Sequence, residues 1–264
     1  MTTLDTSAPE APASPLGGVN LTFVLFELRR RFSRQTTIFT ILLPAVLYLA
    51  LFRTGPEGGT LAHGNFAAWM MTGLAVYGAA MAAISSSATI SIEKSTGWMR
   101  TIALSPLAPP GYLFVKVFCS VVMAAVPVAI IGVLGFLTGA RADAGVWVTA
   151  LLVAWLGSAV FAALGIAMGL ALKPDTVTHV PGLTMTALAF LGNLFIPLSG
   201  TMLQISSYTP MYGVSTLARY ALTDGYAFSG EHMSLAGAVF NLFAWLAAFS
   251  FIAIRRFARS TSRA

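Results

Sequence analysis

Long apolar runs separated by short polar breaks set the plan of this chain. The runs fall at 36–52, 66–92, 112–138, 145–172, 180–203 and 234–254. A helix needs about 20 apolar residues to cross a hydrocarbon core roughly 30 Å thick. Five runs reach that length, and the first, of 17 residues, sits at its lower limit. The expectation is an all-α membrane protein with six transmembrane helices. Ahead of the first run, Leu21, Val24, Leu25, Leu28 and Phe32 recur at helical spacing, with Glu27, Arg30, Arg31 and Arg34 opposite. That pattern suits a helix lying in the membrane interface. The alternative is a cytoplasmic extension of the first span that carries anchor charges. The continuous apolar stripe and the polar break from Ser33 to Thr37 favour the interfacial helix.

The breaks carry their own signals. Gly55-Pro56 and Gly58-Gly59 mark a first loop, 139–145 a short third loop, and Lys173-Pro174-Asp175 a tight turn. Pro197 and Gly200 interrupt the fifth run, and Tyr208 to Leu222 is too polar and short for a span. A re-entrant outer hairpin over 197–222 fits, because irregular backbone persists at membrane depth only where protein or water covers it. An ordinary surface loop with a half-buried helix is the other reading. Gly165 and Gly169 form a GxxxG, read as packing within the chain rather than as a dimer seam. Between the second and third runs lies one charged island, Glu93 to Pro110. Ile92, Trp98, Met99, Ile102 and Ala103 give it an apolar side, and Glu93, Lys94 and Arg100 a polar one. A short surface helix is expected, stopped at Ser105-Pro106 because proline lacks an N–H and restricts its predecessor.

Composition sharpens the class. Apolar residues make up 57% of the chain and charged ones 9%, against about 25% charged in a soluble domain. Of the 15 lysines and arginines, 12 fall on one side of the six-span arrangement, which leaves Arg53, Arg141 and Arg219 on the other. The positive-inside rule then places both termini in the cytoplasm. The net charge of +6 is therefore a topology signal, and no nucleic-acid partner is expected. Residues 1–18, rich in Thr, Ala and Pro without an apolar h-region, read as a disordered cytoplasmic tail, and 19–264 as one transmembrane domain. Cys119 is the single cysteine and reads as a small buried apolar residue.

Candidate chemistry is sparse. The chain has no GxxxxGK[ST] phosphate loop, no HExxH and no GxSxG. His63, His179 and His232 sit in three different loops and read as surface or interface histidines, not metal ligands. No cofactor or metal is expected in this chain, and it does not read as an enzyme. Lys116 is the one formal charge within the six runs and is expected to snorkel to the headgroups. Asn193 is the most notable polar residue in the fifth run, with an interhelical hydrogen bond as its expected role and a pathway contact to substrate as the alternative. Energy for any transport must come from another chain.

Glu93, the glycine four residues on, Arg100 and Ser105-Pro106 together resemble the cytoplasmic loop of type-2 ABC-transporter permeases. The interfacial helix, the six spans, Pro197-Leu198-Ser199-Gly200, Thr209-Pro210 and Arg219 extend that resemblance over nearly the whole chain. Small size and short outer loops are similar to the daunorubicin-resistance-type drug and antibiotic exporters. The sequence departs from many members at Trp98-Met99, where a small polar residue commonly follows the glycine. The resemblance implies a bacterial cytoplasmic-membrane permease that moves an amphiphilic or hydrophobic compound outward. It would be powered by a separate ABC ATPase that holds ATP and Mg. A second copy or a related permease, and membrane lipid, would be its other partners. Within it, Glu93, Gly97, Arg100 and Pro106 would couple to the ATPase. Glu93 would cap or pair at the helix start, Gly97 would allow close backbone approach, Arg100 would meet an acidic ATPase residue, and Pro106 would fix the exit to the third span. Pro197, Gly200, Pro210 and Arg219 would form an outer gate. Permeation of a lipid-linked glycan or polysaccharide is the alternative within the family. A membrane-embedded enzyme or sensor partner is a further one, without a catalytic constellation to support it.

Overall fold

A computed structural model describes residues 21–32, 36–52, 60–98, 109–227 and 230–261. The expected tail at 1–18 lies outside the described residues, as do Arg100 and Pro106 of the charged island. Helix α1 spans Leu21–Phe32 and α2 spans Thr36–Phe52; a two-residue hairpin, β1 (Thr60–Leu61) and β2 (Gly64–Asn65), follows. Then come α3 (Phe66–Ala88), α4 (Ile90–Ser95), α5 (Pro109–Leu137) and α6 (Ala144–Ala171). A single turn, α7 (Pro174–Val177), precedes α8 (Val180–Leu191), α9 (Gly200–Ser206), α10 (Pro210–Thr223) and α11 (Leu235–Thr261).

Among the described residues, four stretches are long and apolar enough to cross a membrane: Phe66–Ser95, Pro110–Leu137, Ala144–Ala171 and Leu235–Arg259. The first and fifth runs differ from them. Helix α2 has 17 residues and α8 has 12. The run at 180–203 is thus not one helix: it stops at Leu191, passes through irregular backbone, and restarts at Gly200.

Helix α3 is the axle of the bundle. Its most apolar window is 94% buried, against 22% for α11. Mean hydropathy ranks α11 above α3, the reverse of their burial, but α3 is built largely of Ala, Gly, Met and Ser, and small side chains let neighbouring backbones come close. Gly165 and Gly169 of α6 confirm the expected internal packing. A Cβ added at Gly169 would sit 2.5 Å from Ala88 O, and one at Gly165 the same distance from Ile84 O, so α6 rides directly on the backbone of α3. Asn65 starts α3 by accepting from Ala68 N at 3.0 Å, the usual use of an N-cap amide. The same oxygen accepts from Arg141 N at 2.9 Å, which joins the hairpin to the α5–α6 connection.

Candidate functional site

The helix that carries the start of the charged island begins inside the second apolar run. Helix α3 ends at Ala88, Thr89 forms the bend, and α4 turns the chain along the end of the bundle. Helix α4 stops at Ser95, with Thr96 N donating to Ile92 O at 3.0 Å and Gly97 in a left-handed conformation (φ 78°). Helix α4 therefore ends just before the glycine, helical backbone resumes at Trp98, and the stop expected at Ser105-Pro106 lies outside the described residues. Among the described residues, a Cβ at Gly97 would meet nothing within 4 Å. Within this chain Gly97 supplies the positive φ that a helix C-terminus favours, and its surroundings are open.

Glu93 is the centre of a buried ionic cluster. Its carboxylate accepts from Arg30 Nη2 of α1 at 2.8 Å and from Lys116 Nζ of α5 at 2.5 Å, and Tyr112 Oη of α5 donates to its second oxygen. Lys116 Nζ also donates to Glu27 of α1. Glu27, Glu93 and Lys116 are all buried. Lys116 does not snorkel, as expected from its position near a span end: its side chain is enclosed between α1 and α4 and finds two carboxylates there. Nor does Glu27 belong to a solvated polar face. Leu21, Leu25 and Phe26 are exposed on α1, as are Thr22 and Arg29, while its acid turns into the protein. Two acids and two bases balance in charge, which such burial demands, because an unpaired ion out of water costs several kcal/mol.

The cluster ties together elements distant in sequence. Ser91 Oγ donates to Leu172 O at 2.7 Å, adding the end of α6 to the brace. Tyr112 also packs on Phe257 of α11 at 5.7 Å between ring centroids, and Trp98 lies against the same small core. A displacement of α4 cannot leave α1 and α5 behind without separating buried charges. Sequence reading singled out Glu93 but missed Glu27 and Lys116. The available signal was one lone acid among residues 21–34 and one lone base entering the third span, at the same expected depth.

At the opposite end, Arg219 organises the break after α8. The guanidinium of this α10 residue is buried and donates to three backbone carbonyls: Trp69 O at 3.2 Å, Asn193 O at 2.6 Å and Leu194 O at 2.8 Å. It also lies over the Trp69 ring, 3.5 Å from the centroid. A cation at carbonyls just past a helix C-terminus is favoured by the helix dipole, so Arg219 caps α8 where the chain leaves it. Gly73 of α3 makes the room, since a Cβ there would overlap Arg219 Nη2. Asn193 does not bond across helices through its side chain, as anticipated. It adopts φ 58° and accepts from Leu198 N at 2.8 Å, a local cap of the irregular turn. Pro197 lies in that turn. Gly200 (φ 55°) opens α9 and donates to Glu231 at 2.9 Å, and Pro210 is the first residue of α10 behind the N-cap Thr209. The hairpin residues Pro197, Gly200, Pro210 and Arg219 are therefore brought into one substructure, in which Trp69, Asn193, Pro197, Thr216 and Arg219 line a narrow recess.

Comparison with known families gives one match. The family model of the ABC-2 type transporter covers residues 22–204, from α1 through α9. No curated protein matches the chain.

Proposed function

Because the chain belongs to the ABC-2 type transporter family, a multi-pass membrane permease component by its fold, we propose that it is the membrane half of an exporter for an amphiphilic or hydrophobic compound. A separate ABC ATPase supplies the energy by binding and hydrolysing Mg-ATP. Six spans cross the bacterial cytoplasmic membrane, with α2 and the broken α8 as the two short ones, and both termini face the ATPase. Two permease chains, identical or related, close around one pathway by two-fold symmetry.

The observation that carries this reading is the ionic cluster on Glu93. Family membership implies an ATPase in general; the cluster supports where its force enters. Helix α4 and the connection after it face the ATPase, and Glu93 passes a push there to α1 through Arg30 and to α5 through Lys116 and Tyr112. The open space at Gly97 leaves room for the partner's surface, with Arg100 and Pro106 as the remaining contacts of the loop. Pro197 to Leu222 then acts as the outer gate, and Arg219 holds its base to α3 rather than facing the symmetry axis.

Co-purification with a genomically adjacent ABC ATPase and reconstitution in proteoliposomes tests the proposal. ATP-dependent movement of an amphiphilic dye, abolished by an ATPase variant that cannot hydrolyse, is expected. Transport by the permease alone without nucleotide would overturn it.

A further inference from the structure

The connections at the end of the bundle away from α1 meet on one imidazole. His63, in the turn between β1 and β2, places Nδ1 3.0 Å from Asp143 Oδ2 and Nε2 3.1 Å from Asp224 Oδ1. A neutral imidazole has one N–H and can donate to only one carboxylate, turning a lone pair toward the other; the imidazolium donates to both. The acids come from separate elements. Asp143 precedes α6, and Asp224 closes α10.

Both carboxylates are stationed for this ring. Asp143 holds the N-cap position of α6 but makes no side-chain cap bond. Asp224 sits at the C-cap of α10 with φ 51°, where a negative charge opposes the helix dipole and a nearby cation relieves it. The backbone follows the same seam: His63 N donates to Leu222 O at 3.3 Å, and Asp143 N donates to His63 O at 3.2 Å. The two acids approach opposite edges of the ring, so the trio cannot chelate one ion.

We propose that His63 is a proton-operated clasp: its imidazolium fastens the end of α10 to the hairpin and to the α5–α6 connection, and loss of the proton frees α10. The charged groups that act on the ring are Asp143 from the α5–α6 connection and Asp224 from α10; the hairpin offers backbone alone among the described residues. The hydrogen bond to Asp143 first, then the charge of Asp224, raise the His63 pKa above its ordinary value, with desolvation a smaller opposing effect. A raised histidine pKa means that the clasp is fully made below the free value of about 6.5 and is lost as pH rises through the raised one. The ring is 42% exposed, so it follows the bathing medium. That the clasp sets the mobility of an outer gate rests on the function proposed above; the clasp itself does not.

The test needs no transport. In the full chain in lipid nanodiscs, with Cys119→Ser, the buried Thr223→Cys at the end of α10 is labelled by an impermeant maleimide. Its rate is divided by that of Ala236→Cys, which is exposed in the first turn of α11. The ratio is expected to rise roughly fivefold between about pH 5.5 and 8.5 with His63 present, and to be high and flat with His63→Gln. Asp143→Asn, which keeps the ring, should move the midpoint to lower pH. A flat ratio with His63 present, the same rise in His63→Gln, or an unmoved midpoint in Asp143→Asn would each overturn the clasp. Failure of export in proteoliposomes would overturn the exporter reading and leave these titrations untouched.

Discussion

Lys116 and Arg219 are both buried cations, and they are satisfied in opposite ways. Lys116 is held by two carboxylates. Lys116→Met should therefore strip Glu27 and Glu93 of a shared buried counter-charge and destabilise the protein by about 3–5 kcal/mol. Adding Glu27→Gln should recover part of that loss, which thermal unfolding of the three variants in nanodiscs would measure. Single and double variants of equal stability would show that the cluster is solvated. Arg219 instead serves three carbonyls with a planar fork, a geometry that the point charge of lysine cannot copy. Arg219→Lys and Gly73→Ala should each cost about 1–3 kcal/mol. Combined, they should cost less than their sum, because both damage one contact. Strict additivity in the same unfolding assay would separate the two sites.

Among the elements, α4 is where structure and mechanism meet. Glu93→Gln would be a clean probe of coupling only if the side chain were exposed, and it is buried. Its burial changes the expectation: that variant strips Lys116 and Arg30 of a shared counter-charge and lowers stability together with transport. Gly97→Leu is the cleaner probe. Its Cβ has free space, so the cost within this chain is the left-handed backbone, about 1–2 kcal/mol. Expression and size-exclusion profile should stay near normal while ATP-driven transport falls at least about tenfold, since a leucine would occupy the space meant for the partner. Transport at the native rate would remove Gly97 from the docking surface. Helix α8 teaches a related lesson. It is too short to span, and it ends where Asn193 and Arg219 can satisfy the freed backbone groups, the condition for irregular chain at membrane depth.

For the whole molecule, the proposed orientation rests on the basic residues. Single cysteines at Gly58 and Ser262 in a Cys119→Ser background should react differently with an impermeant thiol reagent on intact cells: labelling at 58 and none at 262. Labelling at 262 from outside would invert the topology, and with it the assignment of Glu93 to the ATPase side and of His63 to the exterior.

The sequence by itself determined the class of the protein and most of its elements. Uninterrupted apolar runs such as 112–138 and 145–172 admit only a helix in lipid, and Pro197, Gly200 and Pro210 remove backbone donors or demand unusual φ where the fifth run breaks. Gly165 and Gly169 were legible as packing residues because small side chains have one main use at a helix contact. What only the tertiary structure decided was which helix lies at the centre and which charges meet. Mean hydropathy ranks α11 above α3, the reverse of their burial, because burial depends on how many neighbours surround a helix. Glu27, Glu93 and Lys116 each looked like an anchor at the membrane surface, because a single charge near a span end is cheap when it reaches the headgroups. Packing of α1 across α4 and α5 closed that route, so the charges had to neutralise one another. His63 was illegible for the same reason: its two carboxylates lie 80 and 161 residues away, and only the folded chain sets them against the two edges of one ring.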